Sequence, residues 1–595
     1  MQEPFFSQAY RLGKKQVEGR FVIPSGIRCT HASTIARCFS EIPSIGVITT
    51  KSISVAPRVG YREPIYACCA PGSYINAVGL ANPGAEAFLA EFDGLEIPRN
   101  KFLLISLFGS TVADFVTAAH TLSPIADGFE LNLSCPHAKG YGIEIGEDLD
   151  LAVAITRAVA DLTTVPVFVK LSATLRALVA TAQAAIKAGA YGITVTNTIG
   201  PAIATVGDTP LLHNRFGGLS GDAIRPLGLA AVHKLRGAIG LSPIIIGMGG
   251  ISSAEHVSQY RTAGANLFGV GSALTGMDST AMRTYFDDLQ SGIACEPFHG
   301  TPPQVYSLPS GSMSYAASRI VSRVHLSEGL FKIQLDQLPK AYAAGELGGK
   351  FFFLCVPGVG EKPFAVFSAA EKSFIIRTVG LFTRHLETAP LETPILLRGP
   401  YGASLPRFEN RSLVLVGGGT GIASLLEVAR AYEATNDIYF LLGARCRAEF
   451  FGLDQFSRIG TLLLATDDGS HGHCGFVSDL LRVAVGSQFR AIRERLEFLN
   501  CGPPPMVHSC FAVEREVVSG DHIWGAIEYM TSCGVGVCGK CASPSGRLSC
   551  VDGPFMLYEE FMPLAHRALS DRGHPLSEHT GPAPLDPAFQ SRSLT

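Results

Sequence analysis

Eight short apolar runs recur through the first half of the chain, and their spacing constrains the fold more than any other feature. Each run closes in a polar or glycine residue, and helical patterns such as residues 148–162 and 175–188 lie between several of them. Eight strands that alternate with helices over about 250 residues or more are the signature of a (β/α)8 barrel. The runs cover residues 21–24, 45–50, 102–108, 128–135, 165–171, 192–197, 243–247 and 266–271.

Length and composition narrow the choice of architecture and partners. A chain of 595 residues is too long for one hydrophobic core, so three or four domains are expected. The net charge is −3, with acidic and basic residues interspersed. The sequence has no stripe of basic residues, so a nucleic-acid partner is not expected. No stretch predicts a membrane span or a secretory signal. Fifteen cysteines without such a signal indicate a reducing compartment, and we expect a cytoplasmic protein.

Polar residues and glycines follow the predicted strands at their carboxyl ends. In a (β/α)8 barrel the active site lies at this end of the strands. Lysines and amides in such a place suit a flavin beside a small planar substrate that carries carboxylate and amide groups. Backbone N–H groups of glycine turns after the seventh and eighth strands form the usual phosphate site of a barrel. The residues are Lys51, Ser52, Asn132, Ser134, Cys135, Lys170, Asn197 and Thr198, with the glycine turns 247–250 and 269–272.

Cys135 has two interpretations. A lone cysteine is most often a buried filler of the core. Cys135 instead follows a strand, lies in a polar turn and precedes Pro136, which favours a role as a general base. Lys51 and Lys170 each end a buried apolar run, where a lysine needs a partner, so a solvated position is the less favoured interpretation of both.

The first half of the chain resembles class 1 dihydroorotate dehydrogenases over residues 15 to 285. In that family FMN takes a hydride from C6 of dihydroorotate while a cysteine removes the proton from C5, and Cys135 matches this catalytic base. One departure is His137, where many members carry a substrate-binding Asn, and the Ser-Cys-Pro-His sequence also resembles dihydropyrimidine dehydrogenases. The matching segments are TKSIS (50–54), NAVGLANPG (76–84), ELNLSCP (130–136), VKL (169–171), GGLSG (217–221) and GGI (249–251).

This resemblance also implies two sets of binding residues. The orotate contacts would be Lys51, Asn76, Ala77, Val78, Gly79, Leu80, Asn132, Asn197 and Thr198. The FMN contacts would be Ser25, Lys51, Ser52, Asn132, Lys170, Gly221, Gly249, Gly250, Gly271 and Ser272.

The second half begins after a stretch that loses periodicity and gains Pro and Gly, which indicates a linker. Short strands without long helices then predict a small antiparallel barrel, at residues 317–326, 330–335, 351–356 and 373–379. A strand, a turn and a helix follow over residues 413–423. The turn carries Gly417, Gly418, Gly419 and Gly421, which would let a pyrophosphate approach the backbone at the helix start.

Four cysteines near the end of the chain, Cys533, Cys538, Cys541 and Cys550, have the spacing C-x4-C-x2-C-x8-C. This is the spacing of a plant-type [2Fe–2S] site. Glycines between them leave backbone N–H groups to point at the cluster sulfurs. The alternatives are scattered thiols or a zinc site, which usually takes paired C-x2-C units.

The order of small barrel, nucleotide-binding domain and C-terminal cysteines resembles the ferredoxin reductase superfamily. Over residues 315 to 560 it is more similar to the electron-transfer subunit of NAD-dependent class 1B dihydroorotate dehydrogenases. In that family an Arg-Pro-x-Ser-type strand and an Arg-x-x-Gly turn hold FAD. These read Lys362-Pro363-Phe364-Ala365 and Arg377-Thr378-Val379-Gly380 here, and Lys362 keeps the charge but lacks the planar fork of arginine.

The sequence therefore predicts an α/β protein, a (β/α)8 TIM barrel followed by a ferredoxin reductase-like module. The resemblance implies that electrons pass from dihydroorotate through FMN, [2Fe–2S] and FAD to NAD in pyrimidine biosynthesis, in a homodimer through the barrel. Two alternatives are a uracil or thymine reductase using NAD(P)H and a non-catalytic electron relay. The expected domains are 1–290 (FMN barrel), 291–313 (linker), 314–408 (FAD β-barrel), 409–520 (NAD domain), 521–562 ([2Fe–2S] domain) and 563–595 (disordered tail).

Overall fold

The structure is a computed structural model that describes residues 8–134, 143–294 and 313–564. The chain divides into two compact units, residues 1–310 with 535–542, and residues 311–534 with 543–595. The predicted linker lies almost wholly outside the described residues, as does the tail from residue 565, so neither prediction is tested.

All eight predicted barrel strands are confirmed, and they close into one parallel barrel in which sequence neighbours are spatial neighbours. Every residue of the second strand is buried, as expected for a parallel sheet that helices cover on the outside. The strands are β1 (Phe21–Ile23), β2 (Ile45–Thr49), β3 (Phe102–Leu107), β4 (Gly128–Asn132), β5 (Val167–Leu171), β6 (Gly192–Val195), β7 (Ile244–Met248) and β8 (Leu267–Gly269).

Two apolar cores stabilise this barrel. One lies between the strands and the helices, where Phe129 and Ile155 belong to the same cluster. The other groups Val47, Leu104 and Phe168 with Leu12 from an N-terminal hairpin. The helices of this unit are Ala32–Glu41, Ala85–Ala90, Val112–Leu122, Ile143–Glu147, Leu149–Leu162, Leu178–Lys187, Arg225–Ile239, Ala254–Ala263 and Ser279–Ala294.

A four-stranded antiparallel sheet, which the apolar runs do not predict, accompanies the barrel. Its strands lie in the order Ile199–Ala202, Gly217–Gly221, Ser73–Asn76 and Tyr66–Ala70. The Tyr66 hydroxyl lies 2.9 Å from the Thr275 hydroxyl, just after β8, which ties the sheet to the carboxyl ends of the barrel strands. Two short ladders complete the unit, Tyr10–Leu12 with Lys15–Val17 and Thr205–Val206 with Thr209–Pro210.

The second unit opens with a six-stranded antiparallel sheet, which confirms the antiparallel module. The four predicted strands form, and two more strands join them. Gly380 is the N-cap residue of the helix Leu381–Thr388. The strands are Ala316–Ser327, Leu330–Leu335, Phe351–Val356, Gly360–Ala365, Ser373–Arg377 and Pro394–Tyr401.

A seven-stranded, mostly parallel sheet follows, with the strand Ser412–Gly418 in its middle. Alternate residues of this strand enter different cores, Leu413 and Leu415 on one face and Val414 on the other, so helices cover both faces. The other strands are Asp437–Ala444, Thr461–Thr466, His473–Cys474, Leu496–Gly502, Ile523–Ile527 and Met556–Leu557. The helices are Ile422–Tyr432, Leu453–Ser457, Val477–Gly486, Pro504–Arg515 and Ser549–Asp552.

No helix in the part of the chain that the structure describes is long and apolar enough to cross a membrane. The fold class predicted from the sequence, a parallel barrel followed by an antiparallel module and an α/β sheet, is confirmed.

Glu514 gives the α/β domain a pH-dependent stability. Its side chain is fully buried on the helix Pro504–Arg515 and accepts a hydrogen bond from Asn500 Nδ2 at 3.0 Å. Burial penalises the charged form and raises the pKa of this carboxyl from 4.5 to about 8. Between these values the folded chain holds a proton that the unfolded chain releases. The resulting stabilisation is present at low pH and is lost as the pH rises through about 8.

We therefore expect the thermal unfolding midpoint to fall between about pH 5 and about pH 8, and Glu514→Gln to flatten this fall. Differential scanning calorimetry across that range measures it. Glu516→Gln is the matched control, because Glu516 is exposed and pairs with Arg482 at the surface. Parallel curves for the wild type and Glu514→Gln would contradict the assignment.

Candidate active site at the barrel mouth

Ser52 is the centre of a hydrogen-bonded set at the carboxyl ends of the barrel strands. Its Oγ lies 3.2 Å from Ser25 Oγ, which follows β1, and 2.9 Å from Ser106 Oγ on β3. It also accepts a hydrogen bond from Asn132 Nδ2, at the end of β4, at 2.9 Å. Three of the predicted site residues, from three different strands, are thereby brought together.

The set continues toward β6 through two amides. Asn132 Oδ1 accepts a hydrogen bond from Ser134 Oγ at 3.2 Å, and Asn197 Nδ2 donates to Ser134 Oγ at 3.0 Å. Asn197 Oδ1 accepts from the backbone N–H of Thr198 at 2.8 Å. Because each amide oxygen and nitrogen has a partner of the right kind, the orientation of both side chains is defined.

Two lysines bring positive charge to the same strand ends. Lys170, at the end of β5, is 3% exposed, and its Nζ lies 3.7 Å from Glu130 Oε1. Glu130 is fully buried on β4, and among the described residues neither of its carboxylate oxygens has a hydrogen-bond partner. Space is open beside Lys51, since a side chain at Gly26 would meet only the Lys51 Nζ, 3.9 Å from its Cβ.

Among the cysteines that the structure describes, Cys29 is the closest in sequence to the hydrogen-bonded set around Ser52. Its Sγ accepts a hydrogen bond from the Gly26 N–H at 3.0 Å. Burial raises the pKa of the Cys29 thiol to about 11, although the charges of Lys51 and Lys170 oppose the shift. This thiol stays protonated at neutral pH. Cys135 and His137 lie outside the described residues, so the structure leaves the predicted base untested.

The glycine turn after β7 adopts backbone conformations that other residues rarely tolerate. Gly249 and Gly250 have φ of +121° and +71°. A Cβ on Gly250 would lie 2.7 Å from the carbonyl oxygen of Gly221, so these two predicted FMN contacts are neighbours. Gly271 precedes a short turn of 3-10 helix, Ser272–Leu274, whose first N–H groups have no acceptor within the helix.

The predicted substrate segment 76–80 begins at the last residue of the strand Ser73–Asn76 in the four-stranded sheet and continues into the loop after it. Asn76 Nδ2 donates to the Gly218 carbonyl at 3.4 Å, and Ala77 N–H donates to the Ile65 carbonyl at 2.8 Å. A tight turn follows at Gly79 and Leu80, both with positive φ. The hydrogen bonds recorded for Asn76 through Leu80 in the described part of the chain stay within this sheet and its loops, separate from the set around Asn132.

In the second unit the glycine turn lies where a doubly wound sheet binds nucleotides. The strand Ser412–Gly418 pairs on one side with Asp437–Ala444 and on the other with Leu496–Gly502, so the crossover direction changes between them. Gly421 cannot carry a side chain because its Cβ would overlap the Cys501 carbonyl, whereas a Cβ on Gly419 would meet open space. The turn can therefore admit a phosphate group.

The other predicted FAD residues lie on the antiparallel sheet. Lys362 and Pro363 lie on the strand Gly360–Ala365, with the Lys362 side chain exposed. Arg377 ends its strand and forms an ion pair with Glu449, Nη2 to Oε2 at 3.4 Å. Glu449 also pairs with Arg445, so the Arg377 guanidinium shares its partner and keeps donors for a diphosphate.

The four predicted cluster ligands are all buried, with exposures of 1%, 7%, 2% and 1% in chain order. Gly534, Gly536 and Gly539 between them have φ of +77°, +68° and +73°. No three His, Cys, Asp or Glu side chains within the described residues are placed to hold one metal ion. A [2Fe–2S] cluster would make a different demand, two thiolates at each of two irons.

Several contributors to the barrel mouth were not among the predicted site residues. Ser106 and Glu130 are the clearest. Ser106 lies two residues after Leu104 on β3, and Glu130 lies two residues before Asn132 on β4. Because alternate residues of a strand face the same side, this spacing could have predicted that both side chains point into the barrel.

Comparison with known proteins concerns the barrel. The sequence family described as "Dihydroorotate dehydrogenase" matches residues 10–292. The catalytic subunit of dihydroorotate dehydrogenase B (NAD(+)) from Pyrococcus abyssi is 38% identical over 257 residues, 42% of this chain and 83% of the relative. The protein of that name from Archaeoglobus fulgidus is 42% identical over 233 residues, 38% of this chain and 76% of the relative. That from Methanosarcina acetivorans is 36% identical over 297 residues, 47% of this chain and 93% of the relative.

A solved structure gives a looser likeness. A chain of the NADH-dependent reduced ferredoxin-NADP oxidoreductase is matched over 89% of its length and 41% of this chain, at 28% sequence identity and a TM-score of 0.35. That score is too low to define a fold. The three relatives above are each matched over at least 76% of their length at 36% identity or more, so the chain belongs to the dihydroorotate dehydrogenase family.

Proposed function

We propose that this chain oxidises dihydroorotate to orotate in de novo pyrimidine (UMP) biosynthesis, and that electrons leave FMN through a [2Fe–2S] cluster and FAD to NAD+. The hydrogen-bonded set from Ser25 to Asn197 carries the proposal. It presents hydroxyls, amide donors and amide acceptors at one barrel mouth, with Lys51 and Lys170 beside them. Such a set matches a planar ring that carries imide groups and a carboxylate.

The mouth also fits FMN. The flavin, when bound, supplies the two-electron acceptor for a hydride. Lys170 would face its pyrimidine edge, held in place by the buried carboxylate of Glu130. The glycine turns at Gly249–Gly250 and Gly271–Ser272 would hold the phosphate through backbone N–H groups. Ser25, Ser52, Asn132 and Gly221 would complete the contacts, and Asn76 to Leu80 with Asn197 and Thr198 would bind the substrate.

Cys135 would take the C5 proton of the substrate. Ser134, its neighbour in the chain, is fully buried and hydrogen-bonded to both Asn132 and Asn197. This anchorage fixes Ser134 between the two proposed substrate amides, Asn132 and Asn197. A positioned base in that place can remove a proton as the hydride leaves from the adjacent carbon.

The loop that carries two of the predicted cluster ligands supports an electron exit from the barrel, because residues 535–542 belong to the barrel unit. Arg28 N–H donates to the Val537 carbonyl at 2.9 Å, and Gly276 N–H donates to the Val535 carbonyl at 2.8 Å. Thr30 Oγ1 donates to the Cys538 carbonyl at 2.7 Å. The loop therefore lies against the same segment after β1 that carries Ser25, a proposed FMN contact.

For the reductase half, we propose that Lys362, Pro363, Arg377 and Gly380 bind FAD and that the turn Gly417–Gly421 approaches the dinucleotide phosphates. Cys533, Cys538, Cys541 and Cys550 would hold the cluster. A uracil or thymine reductase remains the alternative to test, because the Ser-Cys-Pro-His sequence at residues 134–137 is shared with that class.

The first prediction concerns the substrate. Under anaerobic conditions dihydroorotate should bleach the flavin absorbance of the holoenzyme, whereas dihydrouracil should not, because only dihydroorotate has a carboxylate for the positive charge of Lys51. Stopped-flow absorbance of the two mixtures measures this. Lys51→Met should lose the response to dihydroorotate. Fast bleaching by dihydrouracil alone would establish the alternative.

The second prediction concerns the base. Cys135→Ser should slow flavin reduction by dihydroorotate at neutral pH by about 10²- to 10⁴-fold, since a hydroxyl is a far weaker base than a thiolate. The loss should shrink as the pH rises. Cys29→Ser is the matched control, a barrel thiol that is protonated at neutral pH and should tolerate the change. Equal rates for both variants would return Cys135 to a structural role.

The third prediction concerns the homodimer that we propose to form through the barrel. Four large apolar side chains within residues 203–227 are exposed, and a second copy could bury them: Ile203, Val206, Phe216 and Leu227. Phe216→Glu should convert a dimer into a monomer in light scattering. Leu241→Glu is the control, a more exposed apolar residue elsewhere on the barrel. A monomeric wild type would refute the dimer.

A further inference from the structure

A fully buried ion pair in the second unit has no part in the function proposed above. Arg398 is 1% exposed on the strand Pro394–Tyr401, and the Glu361 side chain on the strand Gly360–Ala365 has no exposed surface. The pair is bidentate, with Arg398 Nε donating to Oε1 at 2.8 Å and Nη2 to Oε2 at 2.6 Å. A third strand lies between these two, so the pair reaches across it.

The strand between them provides an aromatic surface for the charge. The Arg398 guanidinium carbon lies 4.0 Å from the centroid of the Phe353 ring. Tyr315 donates its hydroxyl to Glu361 Oε1 at 2.7 Å. Burying two charges costs more than their attraction returns unless the remaining donors and acceptors are satisfied. Phe353 and Tyr315 therefore fix the position of the guanidinium and of its partner.

The bidentate pair leaves the Nη1 edge of Arg398 for other acceptors. Nη1 donates to the Tyr401 hydroxyl at 3.0 Å and to the backbone carbonyl of Cys533 at 2.7 Å. Cys533 is the first of the four predicted cluster ligands. A charged donor makes the stronger kind of hydrogen bond, and this one is shielded from water.

The residue after Cys533 is shaped to the same surface. Gly534 has a φ of +77°. A Cβ there would lie 2.6 Å from a ring carbon of Phe353 and 3.3 Å from Arg398 Nη1. Only glycine lets the chain pass this close, so the backbone at residues 533 and 534 lies directly on the arginine and the aromatic ring beneath it.

We propose that Arg398 is a positioning residue for the iron–sulfur site, which holds the backbone of Cys533 so that its thiolate is presented to the cluster. The inference rests on the [2Fe–2S] cluster of the proposed function. Glu361 has two roles in it. It neutralises Arg398, and it fixes the planar fork so that Nη1 points at the Cys533 carbonyl. Lysine at position 398 would keep the charge but could not serve Glu361 and Cys533 together.

Arg398→Lys in the full-length holoenzyme tests the proposal. Loss of such an outer partner typically costs about 10- to 100-fold in metal affinity, so we expect release of iron to a ferrous chelator at least about 10-fold faster than in the wild type. The electron paramagnetic resonance spectrum of the dithionite-reduced protein should change as well. Tyr315→Phe is the matched control, because it removes one bond to Glu361 and leaves the bond to Cys533 in place.

A second variant keeps the test decisive if Arg398→Lys does not fold. Arg398→Met with Glu361→Leu removes both charges together, which leaves no buried charge without its partner, and still deletes the bond to Cys533. Circular dichroism identifies the folded variants. A folded Arg398→Lys or double variant with the iron release and spectrum of the wild type would overturn the inference. Failure of this inference and failure of the proposed function give different results. If the wild-type protein contained no iron, as is expected of Cys538→Ala, the cluster itself would be refuted.

Discussion

The alternation of side chains along the barrel strands is the constraint on which the candidate site depends. Successive residues of a strand face opposite sides, so the inward positions form a series with a period of two. On β3 this series runs from Leu104 to Ser106, and on β5 from Phe168 to Lys170. Leu104 and Phe168 belong to the inner apolar core. On each of these strands the inward residue changes from apolar to polar in one step, so the packed core ends and the polar barrel mouth begins.

The buried pair of Lys170 and Glu130 shows what this arrangement costs. Glu130 has no hydrogen-bond partner among the described side chains, and its Oε1 is 3.7 Å from Lys170 Nζ, longer than a close ion pair. A buried carboxylate so weakly satisfied does little for stability. Its position is better explained by the site, because it holds the Lys170 ammonium above the apolar core.

The sequence predicted the parts of the fold that local pattern determines. All eight barrel strands were found because each apolar run closes in a polar or glycine residue. Ser52, Asn132 and Asn197 were predicted because they lie at or just after the ends of such runs, and the structure brings them into one hydrogen-bonded set. The sheet that contains Tyr66–Ala70 and Gly217–Gly221 was missed because its strands are short. The strand Gly217–Gly221 is also rich in glycine, and it pairs with a strand, Ser73–Asn76, that lies far away in sequence. Thr30 was missed for a related reason. Its role depends on a partner distant in sequence, Cys538, which no spacing reveals.

The same limit applies to the cysteine motif, where spacing predicts the ligands but not what shapes their loop. In the part of the loop that belongs to the barrel unit, three backbone carbonyls accept hydrogen bonds from the barrel: Val535 from Gly276, Val537 from Arg28 and Cys538 from Thr30. Glycines at positive φ alternate with these residues, a backbone conformation in which successive N–H groups form a concave anion site. Carbonyls held by the protein in this way do not compete for a bound group, and backbone donors are what the sulfur atoms of the proposed cluster would need. For the function proposed above, such a loop would therefore suit a cluster with inorganic sulfide better than a bare metal ion.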